Sequence, residues 1–282
     1  MAALLSDITA RLTPVSDTPA LDASVVLAHI LGRPRTWILA HPELQLTSEQ
    51  KEELKGKIRR LESGEPLPYV LGCWEFFGME FDLSPAVLIP RPETELLVEK
   101  AIAWLQASPT QQRIADVGTG SGIIAISIAV HVPGAVILAT DISAEALRVA
   151  RNNAVKFHVQ DRIEFVQCDL LPARGDLQAQ EKLDLLCANL PYIPTSTLQG
   201  LPVYGREPAL ALDGGVDGLE LIRSLLVQAP AWMATGGRVL LEIESTLGPQ
   251  TVQLAQKQFR QADIRLDRDL AGQDRLVEIS LT

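Results

Sequence analysis

The spacing of apolar residues changes character along the chain, and each change marks a different kind of structure. Leu21, Val25, Ala28 and Leu31 share one helical face, with Asp22 and Ser24 near its start and Gly32-Arg33-Pro34 as its stop. Leu54, Ile58 and Leu61 make a second apolar stripe among Lys and Glu, which predicts a helix over residues 48–61. Residues 1–65 therefore read as a small helical domain with no combination of side chains that suggests chemistry. In residues 66–90 the texture changes. Pro66, Pro68, Pro85 and Pro90 punctuate β-like runs at Tyr69-Val70-Leu71 and Trp74-Glu75-Phe76-Phe77. Gly78 turns the chain into Met79-Glu80-Phe81-Asp82-Leu83 as a hairpin partner. This stretch reads as a structured connector, because so many aromatics would not stay solvated.

From residue 91 to residue 282 strands and helices alternate. Short apolar runs predict strands at 113–117, 136–140, 163–167, 183–188, 238–243, 264–266 and 276–279. Helical patterns fill 96–105, 123–130, 144–155, 219–232 and 249–259, with Ser143 as a cap for the third of these. Such alternation implies an α/β domain with a largely parallel sheet covered on both faces. No Asp, Glu, Lys or Arg occurs between residues 117 and 140. That length would suffice for a membrane span, which needs about 20 apolar residues. Gly118, Gly120, Gly122 and Pro133-Gly134 break it instead into a turn, a short helix and a new strand.

Composition narrows the function classes. The 282 residues carry 25 Lys and Arg against 35 Asp and Glu, a formal charge of −10, which argues against a strongly basic nucleic-acid-gripping surface. An apolar content of 47% excludes a mainly disordered chain. Cys73, Cys168 and Cys187 are scattered, as are the four histidines, so neither a disulfide framework nor a metal site is expected, and the cytoplasm is the natural compartment. Asp7 interrupts the apolar N-terminal run, which does not read as a signal peptide.

The first chemical signature is Asp116-Val117-Gly118-Thr119-Gly120-Ser121-Gly122, placed between a predicted strand and helix. Close glycines let the backbone turn sharply and let a ligand touch the main chain. Asp141 ends the next strand, about 20 residues on, where a carboxylate can hydrogen-bond both hydroxyls of a ribose. Dinucleotide sites favour GxGxxG with a pyrophosphate over the helix N-terminus. Here the pattern is GxGxG after an acidic residue, which is unwelcome beside phosphates and suits a cationic amino-acid moiety. The balance favours S-adenosylmethionine (SAM), with S-adenosylhomocysteine as product, over NAD. Asp169, just after the third strand, is the expected neighbour of the adenine.

The second signature is Asn189-Leu190-Pro191-Tyr192-Ile193-Pro194 at the end of the fourth strand. Ligands of doubly wound sheets bind outside the carboxyl ends of the strands, which puts Asn189 beside the transferable methyl group. The Asn189 side-chain oxygen and the Leu190 carbonyl can accept both N–H bonds of a planar amide or amine. Tyr192 can pack on the acceptor plane, and Pro191 stiffens the loop. Such a nitrogen gains positive charge as it attacks, so two fixed acceptors on its hydrogens favour the transition state.

These residues resemble the HemK/PrmC-type protein-(glutamine-N5) methyltransferases that modify peptide release factors. The likeness includes Leu88-Ile89-Pro90-Arg91-Pro92-Glu93-Thr94-Glu95, the glycine motif, Asp141-Ile142-Ser143 and Asn189 to Ile193. It continues through Glu207-Pro208-Ala209-Leu210, residues 214–219 and Asp269-Leu270-Ala271-Gly272-Gln273-Asp274-Arg275. The resemblance implies a class I SAM-dependent methyltransferase domain of Rossmann-like, seven-stranded form, with an N-terminal helical domain that helps hold the release factor and a hairpin between them. It implies as acceptor the glutamine of the Gly-Gly-Gln motif of class-1 release factors. By position, the glycine motif, Asp141 and Asn189 bind SAM, and Asn189, Leu190, Pro191 and Tyr192 hold the glutamine. Arg91 and Glu207 either shape the acceptor pocket or form ion-pair and loop-ending contacts at its edge.

Two departures stand out. Leu190 occupies a position usually held by proline, and Leu170 one sometimes held by an aromatic on the adenine. Two other enzymatic readings fit the acceptor loop: an adenine-N6 methyltransferase on DNA or RNA, and a glutamine methyltransferase for a ribosomal protein. A SAM-binding interaction module without catalysis is the third alternative. The expected partner is a release factor, with no direct nucleic acid, no membrane and a monomeric state.

Overall fold

The computed structural model describes residues 1–108, 110, 112–173 and 182–282. They form two compact units, Met1–Trp74 and Glu75–Thr282.

The first unit is helical: α1 (Ala2–Leu12), α2 (Pro19–Leu31), α3 (Arg35–Ala40), α4 (Ser48–Glu62) and α5 (Leu67–Leu71). Ile8, Leu12, Val26, Leu27, Ile58 and Leu61 meet in its core. Pro19 starts α2, and Gly32, at φ 58°, ends it where the Gly32-Arg33-Pro34 stop is expected. A capping box between Thr47 and Gln50 opens α4. Tyr69-Val70-Leu71, expected as a β-like run, is instead the body of α5. The reason lies at its ends: proline is tolerated in a helix's first turn, and Gly72 at φ 81° supplies the left-handed stop.

The chain leaves this unit within β1 (Cys73–Phe76), which pairs with β2 (Met79–Asp82) as a two-stranded sheet. There follow α6 (Thr94–Ala107), β3 (Arg113–Val117), α7 (Ile123–His131), β4 (Val136–Asp141), α8 (Ala144–Lys156), β5 (Ile163–Gln167) and β6 (Leu183–Ala188). The chain then forms α9 (Thr195–Leu198), α10 (Glu220–Trp232), β7 (Met233–Glu242), α11 (Gly248–Gln258), β8 (Asp263–Arg268) and β9 (Asp274–Ser280).

Seven strands make one sheet in the order β5-β4-β3-β6-β7-β9-β8, parallel except for β9, which runs antiparallel to both neighbours. The expected doubly wound sheet is present. Alternate residues face opposite cores: Ile114, Leu185 and Leu240 pack with α6 and α7, whereas Ala115, Leu186 and Leu241 pack with α10 and α11. Strand β7 starts earlier than its apolar run suggested, and a register shift opposite Leu183–Leu185 absorbs Gly236-Gly237. Among the described residues no helix is long and apolar enough to cross a membrane.

The strand order reverses between β3 and β6, which are neighbours, so the loops leaving their carboxyl ends bound one crevice. Register fixes what meets there. Val117 pairs with Ala188, and Ala188 with Leu241, so Gly118, Asn189 and Glu242 follow side by side. Glu242 pairs in turn with Leu276, which brings Arg275 alongside.

Candidate active site

The loop from β3 to α7 is held from beneath. Asp116 is fully buried, and one of its carboxylate oxygens accepts from the Thr119 hydroxyl at 2.6 Å and the Ala125 N–H at 3.1 Å. Its other oxygen has no hydrogen-bond partner. Burial pushes its pKa up to about 6 against the pull of those two donors. Asp141, at the end of β4, accepts from the Gly120 N–H at 2.9 Å and the Ser143 N–H at 2.8 Å, while burial raises its pKa. Leu170 sits in the left-handed region at φ 61°, and its carbonyl accepts the Thr140 hydroxyl at 2.6 Å.

A cavity of about 410 Å³ lies over these groups. Gly118, Thr119, Gly120 and Ser121 form one side, Asp141, Asp169 and Leu170 another, and Asn189, Leu190 and Pro191 a third. Leu88 and Arg91 close it from the segment before α6, and Pro208 and Leu210 from the segment before α10. A Cβ on Gly120 would meet nothing within 4 Å, so the backbone there faces open space. Asp116 and Gly122 lie outside the lining. Gly122 is needed for packing, since a Cβ on it would come 2.8 Å from Ile126 and 3.2 Å from Ala150.

A second cavity of about 240 Å³ adjoins the same loop, with Arg91, Asn189, Leu190 and Pro191 lining both and Tyr192 and Val203 only this one. Leu190 is buried, and its Cδ2 lies 3.0 Å from where a Cβ on Gly118 would stand, so its side chain covers the glycine turn. Asn189 Nδ2 donates to the Thr94 hydroxyl oxygen at 3.0 Å. The Tyr192 phenol is pushed up to about 12, by burial first and then by the charge of Glu242, against Arg275 and Arg91. Glu207 lines neither cavity. It accepts from Arg91 Nη2 at 2.5 Å and from the Ile89 N–H at 3.1 Å, which ties two walls together.

Behind the loop of Asn189 to Tyr192 runs a backbone brace with no counterpart in the sequence reading of chemistry. Ile193 N–H donates to Leu212 at 3.0 Å, Gly214 N–H to Ile193 at 2.8 Å and Thr195 N–H to Gly215 at 2.9 Å. Thr94 and Glu242 were likewise missed as contributors. Glu242 had one visible signal: it is an acidic residue that interrupts Val239-Leu240-Leu241 and Ile243 at the carboxyl end of a parallel strand.

The sequence of the chain has close relatives among known proteins. The chain is 42% identical over 261 residues to the release factor glutamine methyltransferase of Moorella thermoacetica, covering 92% of this chain and 90% of the relative. It is 40% identical over 275 residues to the protein of the same name from Coxiella burnetii, covering 96% of this chain and 95% of the other. The chain belongs to the release factor glutamine methyltransferase family. Residues 3–72 match the model of the PrmC N-terminal domain, and residues 98–194 that of the ribosomal protein L11 methyltransferase (PrmA). In fold it is similar to a methyltransferase from Pyrococcus furiosus, at 15% identity and TM-score 0.51, covering 83% of this chain and 98% of that one. The family resemblance expected from the sequence is borne out, and the chain is a methyltransferase.

Proposed function

We propose that the chain transfers a methyl group from SAM to the side-chain amide nitrogen of the glutamine in the Gly-Gly-Gln motif of class-1 release factors. The observation that carries this reading is the placement of Asn189 and Leu190 on the border of both cavities, one suited to the donor and the other to a side chain entering beside Tyr192.

The larger cavity suits SAM on its charges. Asp141, Glu145 and Asp169 line it, and Arg91, the one cation among its described lining residues, is matched by Glu207. Such a surface repels a pyrophosphate and favours an ammonium and a sulfonium. Asp141 uses one lone pair per oxygen on backbone donors and keeps others for two ribose hydroxyls. Asp169 and Leu170 then flank the adenine, and the open space at Gly120 lets the amino-acid part touch the main chain. When bound, SAM supplies an electrophilic methyl group whose transfer discharges the sulfonium.

This chain's residues act on the nucleophile. The Asn189 side-chain oxygen and the Leu190 carbonyl accept the two N–H bonds of the glutamine amide and so hold its plane. As the nitrogen gains positive charge those bonds strengthen, which lowers the barrier without a general base, and the methylated nitrogen then releases one of its protons to water to restore a neutral amide. Tyr192 packs as a neutral phenol on the amide, and Pro191 limits the motion of the loop between them.

Methyl-labelled SAM, offered with a class-1 release factor or with duplex DNA, tests the proposal. Label on the release factor, lost when its motif glutamine becomes alanine, is expected. Label on DNA alone overturns it.

A further inference from the structure

Asn189 can serve the proposed acceptor role only if its oxygen, and not its nitrogen, faces the second cavity. The two ends of an amide have the same shape, so neighbours must decide between them. Its direct partner is the Thr94 hydroxyl, at 3.0 Å from Nδ2 and fully buried at the start of α6. A hydroxyl both donates and accepts, so Thr94 alone would bond either end of Asn189 equally well.

Glu242 removes that indifference. It is 2% exposed and follows Leu241, the partner of Ala188 in the register, so it lies beside Asn189. Neither of its carboxylate oxygens completes a hydrogen bond, although the Thr94 hydroxyl and the Asn189 amide lie close enough to hold its acidity partly down. An ionised carboxylate can only accept.

We infer that Glu242 is a positioning residue: the negative field of its unpartnered, ionised carboxylate turns the Thr94 hydroxyl hydrogen toward it, so that Thr94 accepts from the Asn189 nitrogen and Asn189 turns its oxygen to the substrate. This rests on the proposed role of Asn189. Protonated, Glu242 can donate as well as accept, so it no longer fixes the direction of the chain Glu242–Thr94–Asn189, and the wrong end of Asn189 can face the acceptor.

The charged and titratable groups around Glu242 come from every neighbouring element. Arg275 on β9 favours its charged form, Glu93 before α6 opposes it, and the neutral Tyr192 phenol lies within its field. Burial dominates and pushes Glu242 up to about 7. A carboxyl raised in this way loses its charge as the pH falls through that value.

The experiment follows initial rates with the full chain, methyl-labelled SAM and an intact class-1 release factor between pH 6 and pH 9. Wild type is compared with Glu242→Gln, Thr94→Val and Thr94→Ser. The expected wild-type kcat falls as pH drops through about 7. Glu242→Gln, whose amide can donate to or accept from Thr94 and so no longer fixes its direction, should lose up to about tenfold in kcat with little change in KM, and its low-pH limb should vanish. Thr94→Val should behave alike, and Thr94→Ser should keep wild-type kcat and its limb. Glu242→Gln or Thr94→Val with wild-type kcat and an intact limb overturns the inference while leaving the methyltransferase reading standing. A wild-type chain that labels no release factor at any pH overturns that reading and the inference with it.

Discussion

Arg91 and Glu207 meet at 2.5 Å although 116 residues separate them, and the second Glu207 oxygen holds the Ile89 N–H at 3.1 Å. One buried carboxylate thereby fastens the segment before α6 to the segment before α10, and both segments wall the larger cavity. Glu207→Ala leaves a buried N–H and a guanidinium without their acceptor. Because Arg91 is about a third exposed, water recovers part of that loss. The expected destabilisation is about 1–3 kcal/mol in urea denaturation, with weaker SAM binding by calorimetry. Full retention of both would mean the clasp has no part in shaping the cavity.

Gly218 lies against the acceptor loop so closely that a Cβ would stand 2.3 Å from the Tyr192 carbonyl oxygen, and its φ is 75°. Gly214 is similar, 2.7 Å from Tyr192 Cα. Gly218→Ala must therefore push Tyr192 out of place. The residues that line the larger cavity beside Asp141 are untouched by this change. Transfer should fall by about a hundredfold, the cost of a misplacement near 1 Å, while SAM affinity stays near wild type. Equal losses of both would point to general unfolding, which a thermal melt would register.

The sheet was legible because its strands are buried on both faces and read as apolar runs between glycine and proline breaks, as at 113–117 and 183–188. The glycine turn, Asp141 and the NLPY loop were legible because each places a distinctive residue type at a strand's carboxyl end. Tyr69-Val70-Leu71 misled, since three apolar residues have no period and the flanking Pro66 and Gly72 decide their state. Thr94, Glu242 and Gly218 could not be found by spacing. Their proximity to Asn189 and Tyr192 depends on strand register and on a loop returning from far along the chain.

Asp116 offers a test of the charge beneath the glycine turn. Its carboxyl rises from 3.8 to about 6 on folding, chiefly through burial. A raised acid contributes stability below its unfolded pKa and loses it as pH rises through the folded value, here between about pH 4 and pH 6. At neutral pH the ionised Asp116 thus costs the fold about 3 kcal/mol. Asp116→Asn keeps an oxygen for Thr119 and Ala125 and removes that cost. The variant should be more stable than wild type at pH 7.5 and converge with it near pH 4, as urea titrations would measure. It should also bind SAM more weakly, because the negative charge under the loop is gone. A variant no more stable at pH 7.5 would show that Asp116 carries little buried charge.

Tyr192 gives the opposite pH signature to Glu242. With its phenol pushed up to about 12 by burial and by Glu242, it stays neutral through any practical assay range. If its ring, and not its hydroxyl, holds the acceptor plane, Tyr192→Phe should keep kcat within about fivefold, since one neutral hydrogen bond is worth about 1 kcal/mol. Its pH profile up to pH 9 should match wild type. Tyr192→Ala removes the packing surface and should raise KM for the release factor and lower kcat together. A Phe variant as impaired as the Ala variant would transfer the role to the hydroxyl. An alkaline limb near pH 9 in wild type that Phe abolishes would mean the phenol ionises far more readily than its burial allows.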